Sequence, residues 1–460
     1  MATTSSIEQR SIDHIPLDER HGAPRSLFFV WFAANTSITA VVTGALFVIL
    51  GNTALWAIPA IIVGNVVGGF FTALHSAQGP RLGVPQMIQS RAQFGYFGAI
   101  LPLVLALMIF LGFYATGLVL GGQAMSRLLH TSPEVGSVLF ALMSTALAIF
   151  GYRHIHRFSH VAAVLSGVVF TGLFIKMLTE PATGDALSDT TFAAAPFILG
   201  ISLAASWQLT FGPYIADYSR YLPQDTPKSA TIGWTFLGSV VGASAAMILG
   251  ALAAALGGVG FLGNQVGFLA DLGGVFSVVV LLAVICGKLT GNTLSSYGGY
   301  MSVATIVTSL TRQSRIEPRH RVIYIALISI AALAIALAAS DNFLASFTDF
   351  LLYFMTPWSA INLVDYYLVR KEQYDVAALF DPDGIYGRFN KGAMLAYIVG
   401  VLIQIPFMNS TFYVGPIADW MGGAEISWIL GLLVAGGLYY AFTGRIRNEV
   451  AARRVLAAQR

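Results

Sequence analysis

Charge is what this 460-residue chain has least of. Asp, Glu, Lys and Arg make up 10% of it, against about 25% in an ordinary soluble domain, so it has too few charges to cover a water-facing surface. Disorder needs few apolar groups and high charge, and 56% of these residues are hydrophobic. The one cysteine, Cys286, excludes an intramolecular disulfide, and the Cys and His residues show no zinc-ligand spacing. No P-loop pattern occurs, which argues against ATP-driven work by this chain alone. Neither paired carboxylates nor a Ser/His arrangement nor a metal-ligand set falls within the apolar runs, so a membrane-embedded enzyme lacks its chemistry. The basic residues form no stripe with interleaved aromatics, which excludes nucleic acid as a partner. The first 25 residues are polar, without the apolar core of a cleavable signal peptide.

Long apolar runs are abundant. A spanning helix needs about 20 mostly apolar residues. Runs of that kind lie at 26–50, 53–75, 97–125, 134–151, 158–178, 192–216, 231–257, 273–303, 321–340, 343–369, 393–409 and 423–443. Most of the 47 Gly and 17 Pro residues lie inside them, as suits packed membrane helices. With the N-terminus in the cytoplasm, 22 of the 25 Lys and Arg residues fall in cytoplasmic segments. Only Arg127 and Lys176 fall outside, and Lys288 falls within a span. That asymmetry predicts an even number of spans with both termini cytoplasmic; the membrane expected is the plasma (inner) membrane. The fold class expected is therefore an all-α polytopic membrane protein with twelve transmembrane helices.

Two spans carry polar interruptions. The first contains Ala34-Asn35-Thr36-Ser37; the sixth contains Trp207-Gln208-Leu209-Thr210-Phe211-Gly212-Pro213. They are five spans apart and so enter the membrane in opposite directions, the arrangement of a five-plus-five inverted repeat with two spans left over. Such a repeat divides the chain into a tail (1–25), a first repeat (26–178), a second repeat (192–370), a cytoplasmic loop (371–392), a further helix pair (393–443) and a C-terminal tail (444–460).

Lys288 is the one basic residue placed at membrane depth, where a cation costs about 2.5–3.5 kcal/mol on insertion scales. Its ammonium could stand in for a coupling cation or give and take a proton; Asp349 and Asp365 are alternative proton carriers. Thr290, Asn292, Thr293, Ser295 and Ser296 follow it, offering donors and acceptors without net charge. That set suits a neutral, planar heterocycle, although interhelical hydrogen bonding would use the same groups. Trp207, beside the Gly212-Pro213 break, is placed to stack on a flat ligand, and Gln208 to read a ring edge. Phe110, Phe113 and Tyr114 form an aromatic group in the third span. Asp217 and Arg220, at the inner end of the sixth, read as a local ion pair or gate.

Arg25-Ser26-Leu27 with Phe32-Ala33-Ala34-Asn35, Gly79-Pro80-Arg81-Leu82-Gly83-Val84-Pro85 through Ser90-Arg91-Ala92-Gln93-Phe94-Gly95, Pro213 through Tyr221, and Pro357-Trp358 with Asp365-Tyr366-Tyr367 together resemble the nucleobase:cation symporter-1 family, the purine–cytosine permeases. The resemblance implies the leucine-transporter-type repeat, with helices one and six broken and helices three and eight completing the site. It implies a flat ring held between Phe113 or Tyr114 and Trp207, with Asn292 as an amide contact; Gln208, Thr293 and Ser37 are further candidate substrate contacts. It places a Na⁺ between the Asn35–Ile38 segment and Thr290. Lys288 departs from the sodium pattern and points instead to H⁺ coupling. The expected function is import of cytosine or a purine by H⁺ or Na⁺ symport, with allantoin, hydantoin or a vitamin ring as the alternative cargo. No cofactor is expected, no metal beyond a possible Na⁺, and a monomer in lipid.

Overall fold

The computed structural model describes residues 13–150, 152–261, 263–311, 318–339 and 343–458. Arg10, Arg312, Arg315 and Arg460, counted above among the cytoplasmic cations, lie outside them, as do the side chains of Arg153, Arg157, Arg445, Arg447, Arg453 and Arg454. Helix dominates the described residues; the sheet-like exception is one antiparallel bridge, Asn409 to Val414.

The first apolar run forms α1 (Ser26–Asn35) and α2 (Ile38–Ile49), bent by 57°. Then come α3 (Ala54–Ser76), a short α4 (Gln86–Phe94), α5 (Ile100–Leu129), α6 (Pro133–Phe150) and α7 (Tyr152–Thr179). The sixth run is broken into α8 (Ala194–Leu209) and α9 (Ile215–Ser219). The remaining long helices are α10 (Lys228–Gly257), α11 (Ser277–Thr311), α12 (Pro318–Ala338), α13 (Phe343–Val364), α14 (Lys391–Leu402) and α15 (Ser427–Ala458). Among the described residues, six helices are long and apolar enough to cross a membrane, or eight if each bent pair is one span; three shorter apolar helices lie at Pro133–Ile149, Lys391–Phe407 and Ser427–Thr443. The Gly-rich stretch between the seventh and eighth runs holds a short helix, Gln265–Gly273.

Two bodies pack side by side. In one, α1, α2 and α3 pack on α10 and α8 packs on α3; in the other, α5 lies against α11, α6 and α12, with α7 on α11. The helix α13 packs on α14 and α15 and also reaches α8 and α3. Glycine permits the closest crossing. A Cβ on Gly250 would stand 1.7 Å from the Val41 carbonyl oxygen, so α10 meets α2 backbone to backbone. Exposed apolar residues such as Phe70, Leu142, Val168, Leu327 and Ile330 cover the outside, as a lipid-facing surface requires.

Gly250→Ala should lower the thermal midpoint of the detergent-solubilised protein, an overpacking cost of about 1–3 kcal/mol. An unchanged midpoint would mean that α2 and α10 are not in contact there.

Candidate functional site

The sequence Asn35-Thr36-Ser37 ends one helix and starts the next. Asn35 Nδ2 donates to the Trp31 carbonyl (2.8 Å) and Thr36 Oγ1 to the Phe32 carbonyl (2.8 Å), so side chains serve the last carbonyls of α1. Ser37 is extended and its Oγ accepts from the Ala40 N–H, capping α2. In the sixth run, Pro213 has no N–H to give the turn before it, and a single 3₁₀ turn, Gly212–Tyr214, joins α8 to α9. Thr72 Oγ1 donates to the Gln208 carbonyl at 2.7 Å, serving an acceptor next to the break.

The two breaks meet through one hydrogen bond. Trp207 Nε1 donates to Asn35 Oδ1 at 2.7 Å, with the indole 3% exposed. The indole lies edge-to-face with Phe113 of α5 (centroids 5.9 Å, 86°) and with Phe211 (5.8 Å, 79°). Phe113 in turn meets Phe347 of α13 at 5.3 Å and 88°. Trp31, Phe211 and Tyr214 form a further aromatic group joined by Phe110. Trp207 thus meets Phe113 and Phe211, and Phe113 meets Phe347, near the perpendicular, an arrangement that aromatic quadrupoles favour.

The structure separates Phe113 from Tyr114. The Tyr114 ring is fully buried and its hydroxyl bonds Ser144 (3.1 Å), Thr145 (3.2 Å) and Ser329 (3.0 Å), so it points toward α6 and α12, away from Trp207. Successive residues on a helix point about 100° apart, which places neighbours such as these on different faces. Asn292 of α11 fits against α5 at Gly117, where a Cβ would meet its Oδ1 at 1.8 Å. Its Nδ2 donates to the Tyr114 carbonyl at 3.4 Å. Asn292 Oδ1 and, one turn on, Ser296 Oγ are buried and take no hydrogen bond from the protein. Thr293 Oγ1 donates to the Leu289 carbonyl at 2.7 Å.

One turn the other way from Asn292, Lys288 Nζ donates to Thr39 Oγ1 at 2.6 Å, with the side chain 7% exposed. The ammonium therefore reaches the first turn of α2, next to Ser37 and the buried Ile38. Thr290 is not brought to it: it lies two residues on, about 200° round the helix, and donates to the Cys286 carbonyl at 3.2 Å. Gln208 likewise turns from the aromatic group. Its Nε2 donates to Asn65 Oδ1 (2.7 Å) and its Oε1 accepts from Ser239 Oγ (2.6 Å). Sequence reading missed Thr39, Asn65 and Ser239, which lie among apolar residues in mainly apolar helices and carry no motif.

At the end of the molecule where α1 begins, α4 joins several elements. The Gln86 N–H donates to Asp217 Oδ1 (2.7 Å), Gln86 Oε1 accepts from the Ala216 N–H (3.2 Å), and Gln86 Nε2 donates to Gln78 Oε1 (2.7 Å). Gln78 Nε2 donates onward to Asn362 Oδ1 of α13 at 2.7 Å. Arg220 is 2% exposed, lies over the Tyr221 ring at 5.1 Å and reaches the Asp13 carbonyl at 3.5 Å. Lys228 pairs with Glu372. Asp365 accepts from Gln93, Arg370, Tyr374 and Tyr439, which engages both of its oxygens in joining α13, α4 and α15. Burial, then Asp365, pushes the Tyr374 hydroxyl well above its ordinary value, so it stays a donor. Among the described residues no three His, Cys, Asp or Glu side chains converge to hold a metal.

Two broken helices meeting beside aromatic and amide groups, inside a helical body with a lipid-type exterior, define an integral membrane transporter. More particularly, the chain belongs to the family described as permease for cytosine/purines, uracil, thiamine, allantoin, whose profile matches residues 14–431. It is 39% identical over 437 residues to the putative purine-cytosine permease YxlA of Bacillus subtilis (strain 168), covering 94% of this chain and 95% of that one. It is 25% identical over 477 residues to the purine-cytosine permease fcyB of Emericella nidulans, covering 95% and 89%. The fold is similar to that of Mhp1 in an inward facing conformation, with TM-score 0.76, 18% identity and coverage of 98% and 96%. It is also similar to Mhp1, a nucleobase-cation-symport-1 family transporter, closed with bromovinylhydantoin bound, at TM-score 0.75 and 18% identity over 97% of both chains.

Thr39→Val removes the hydroxyl that receives the buried Lys288 ammonium. It should destabilise the protein by about 1–3 kcal/mol, read as a lower thermal midpoint, and Lys288→Met in the same chain should return part of the loss. A neutral Thr39→Val would show that the contact is not made.

Proposed function

We propose that this permease imports a nucleobase, cytosine or a purine, by cation symport with alternating access across the plasma membrane, with both termini cytoplasmic. The observation that carries the reading is the Trp207 indole, fixed at the meeting of two helix breaks with Phe113 edge-on to it. Asn292 and Thr293 lie on α11, the helix beside Phe113's own. A flat ring stacks on the Trp207 face once Phe113 turns from its edge-on position, and Asn292 Oδ1, buried and unengaged by the protein, accepts a ring N–H. The relatives named as purine-cytosine permeases support that cargo. The family description also names uracil, thiamine and allantoin, which keeps another small heterocycle as the second reading.

The repeat we propose runs over 26–178 and 192–370, within twelve spans, with 393–443 as an added helix pair. In this scheme α1, α2, α3, α8, α9 and α10 rock as one bundle against the rest, and the Asp217–Gln86 contact, the Lys228–Glu372 pair and the Gln78–Asn362 bond open when the site faces inward. Lys288 takes the place of a coupling cation between the first and eighth spans, its ammonium held by Thr39, and the protein couples to H⁺.

In proteoliposomes, uptake of radiolabelled cytosine or adenine should be driven by an inward proton gradient and persist when choline replaces Na⁺ at clamped pH. Uptake that stays fully Na⁺-dependent would overturn the role given to Lys288. Trp207→Ala should weaken affinity for the best ring by at least about fivefold, as loss of a stacking contact worth about 1–3 kcal/mol requires; an unchanged affinity sinks the stacking assignment.

A further inference from the structure

Five polar side chains form one unbroken, one-way chain through the bundle. Trp207 Nε1–H can only donate, and it donates to Asn35 Oδ1 at 2.7 Å. That fixes the Asn35 amide, whose Nδ2 then donates to Ser239 Oγ at 3.1 Å. Having accepted, the Ser239 hydroxyl donates to Gln208 Oε1 at 2.6 Å. The Gln208 amide is now fixed too: its Nε2 donates to Asn65 Oδ1 at 2.7 Å. Asn65 Nδ2 ends the chain on the Ile61 carbonyl at 2.9 Å and on Met247 Sδ at 3.4 Å. Asn35, Gln208 and Asn65 are fully buried, Ser239 is 1% exposed and Trp207 3%. Each amide has a single orientation that satisfies its neighbours: reversing Asn35 would set its NH₂ against the Trp207 N–H and its Oδ1 against the Trp31 carbonyl, donor facing donor at one end and acceptor facing acceptor at the other.

We propose that Ser239 and Asn65, on α10 and α3, are positioning residues for the Trp207 platform. They touch no ligand. They act through Gln208 and Asn35 to hold the indole in one orientation, so the ring offers a ligand its face while its N–H is spent on Asn35. Removing a middle member leaves buried amide groups unpaired on both sides, which the low-dielectric interior penalises, and the indole loses its fixed orientation. The proposal rests on the reading of Trp207 as the stacking platform, but the orientation of the indole can be observed without any ligand.

The test is a double-mutant cycle with a spectroscopic arm. With cytosine and adenine as probes, Ser239→Ala should raise the apparent KM about fivefold with little change in maximal velocity, and Ser239→Thr, which keeps the hydroxyl, should restore it. Trp207→Phe removes the N–H that anchors the chain, so Ser239→Ala should cost nothing further in that background. An equal cost in both backgrounds would make Ser239 a general packing residue and overturn the proposal. In protein labelled with 5-fluorotryptophan, the Trp207 resonance, assigned among the seven tryptophans by its loss in Trp207→Phe, should shift or broaden in Ser239→Ala and in Asn65→Leu. It should stay in place in Ser239→Thr. A resonance unmoved by both disruptive variants overturns the relay whatever the transport data show. If the resonance moves while Trp207→Ala leaves ring affinity intact, the relay stands and the platform reading falls.

Discussion

The hydrogen bond from the Trp207 indole to Asn35 joins the two places where a membrane helix is interrupted. A broken helix leaves carbonyls and N–H groups that lipid cannot satisfy, so the break is tolerable only where protein groups take over. Here Asn35, Thr36 and Ser37 do so for the first break, and Thr72 serves a carbonyl beside the second. Because the same Asn35 side chain serves α1 and receives Trp207, the geometry of one break fixes the geometry of the other. The aromatic group, the polar relay and the approach of α11 are arranged round that joint. In the proposed cycle it also explains how a bundle of interrupted helices can move as one body, since its members are tied by short, one-way hydrogen bonds rather than by apolar contact alone.

Lys288 is the second constraint. A cation within a span is costly, and its one hydroxyl partner is on α2, just beyond the break. The charge therefore depends on the first break as the aromatic site does. Lys288 and Asn292 are four residues apart on α11 and so share a face, one reaching α2 and the other α5. This common face puts a proposed coupling group and a proposed ligand group on the same rigid element, which is the physical basis for coupling between them.

The breaks were legible in the sequence because polar residues, Gly and Pro stand out against apolar runs: Asn35–Ser37 lies where the chain bends by 57°, and Gly212-Pro213 where α8 gives way to a 3₁₀ turn. Lys288 was legible for the same reason. Side-chain direction was not. Trp207 and Gln208 are neighbours, yet one faces the aromatic group and the other faces Asn65 and Ser239. Phe113 and Tyr114 divide in the same way. At a break the helical phase on either side is set by the caps and by the packing partner, neither of which spacing reports. The helix α4 shows a further limit: its Gln-rich sequence reads as a polar loop, but all nine of its residues are buried.

The account is tested most directly by a structure of the protein with a nucleobase bound. The ring should lie parallel to the Trp207 indole at about 3.5–4 Å, within hydrogen-bonding distance of Asn292, with Phe113 rotated from its edge-on position and the Trp207–Asn35 bond intact. A ring bound away from Trp207, or an indole that leaves Asn35 to hydrogen-bond the ligand, would contradict it.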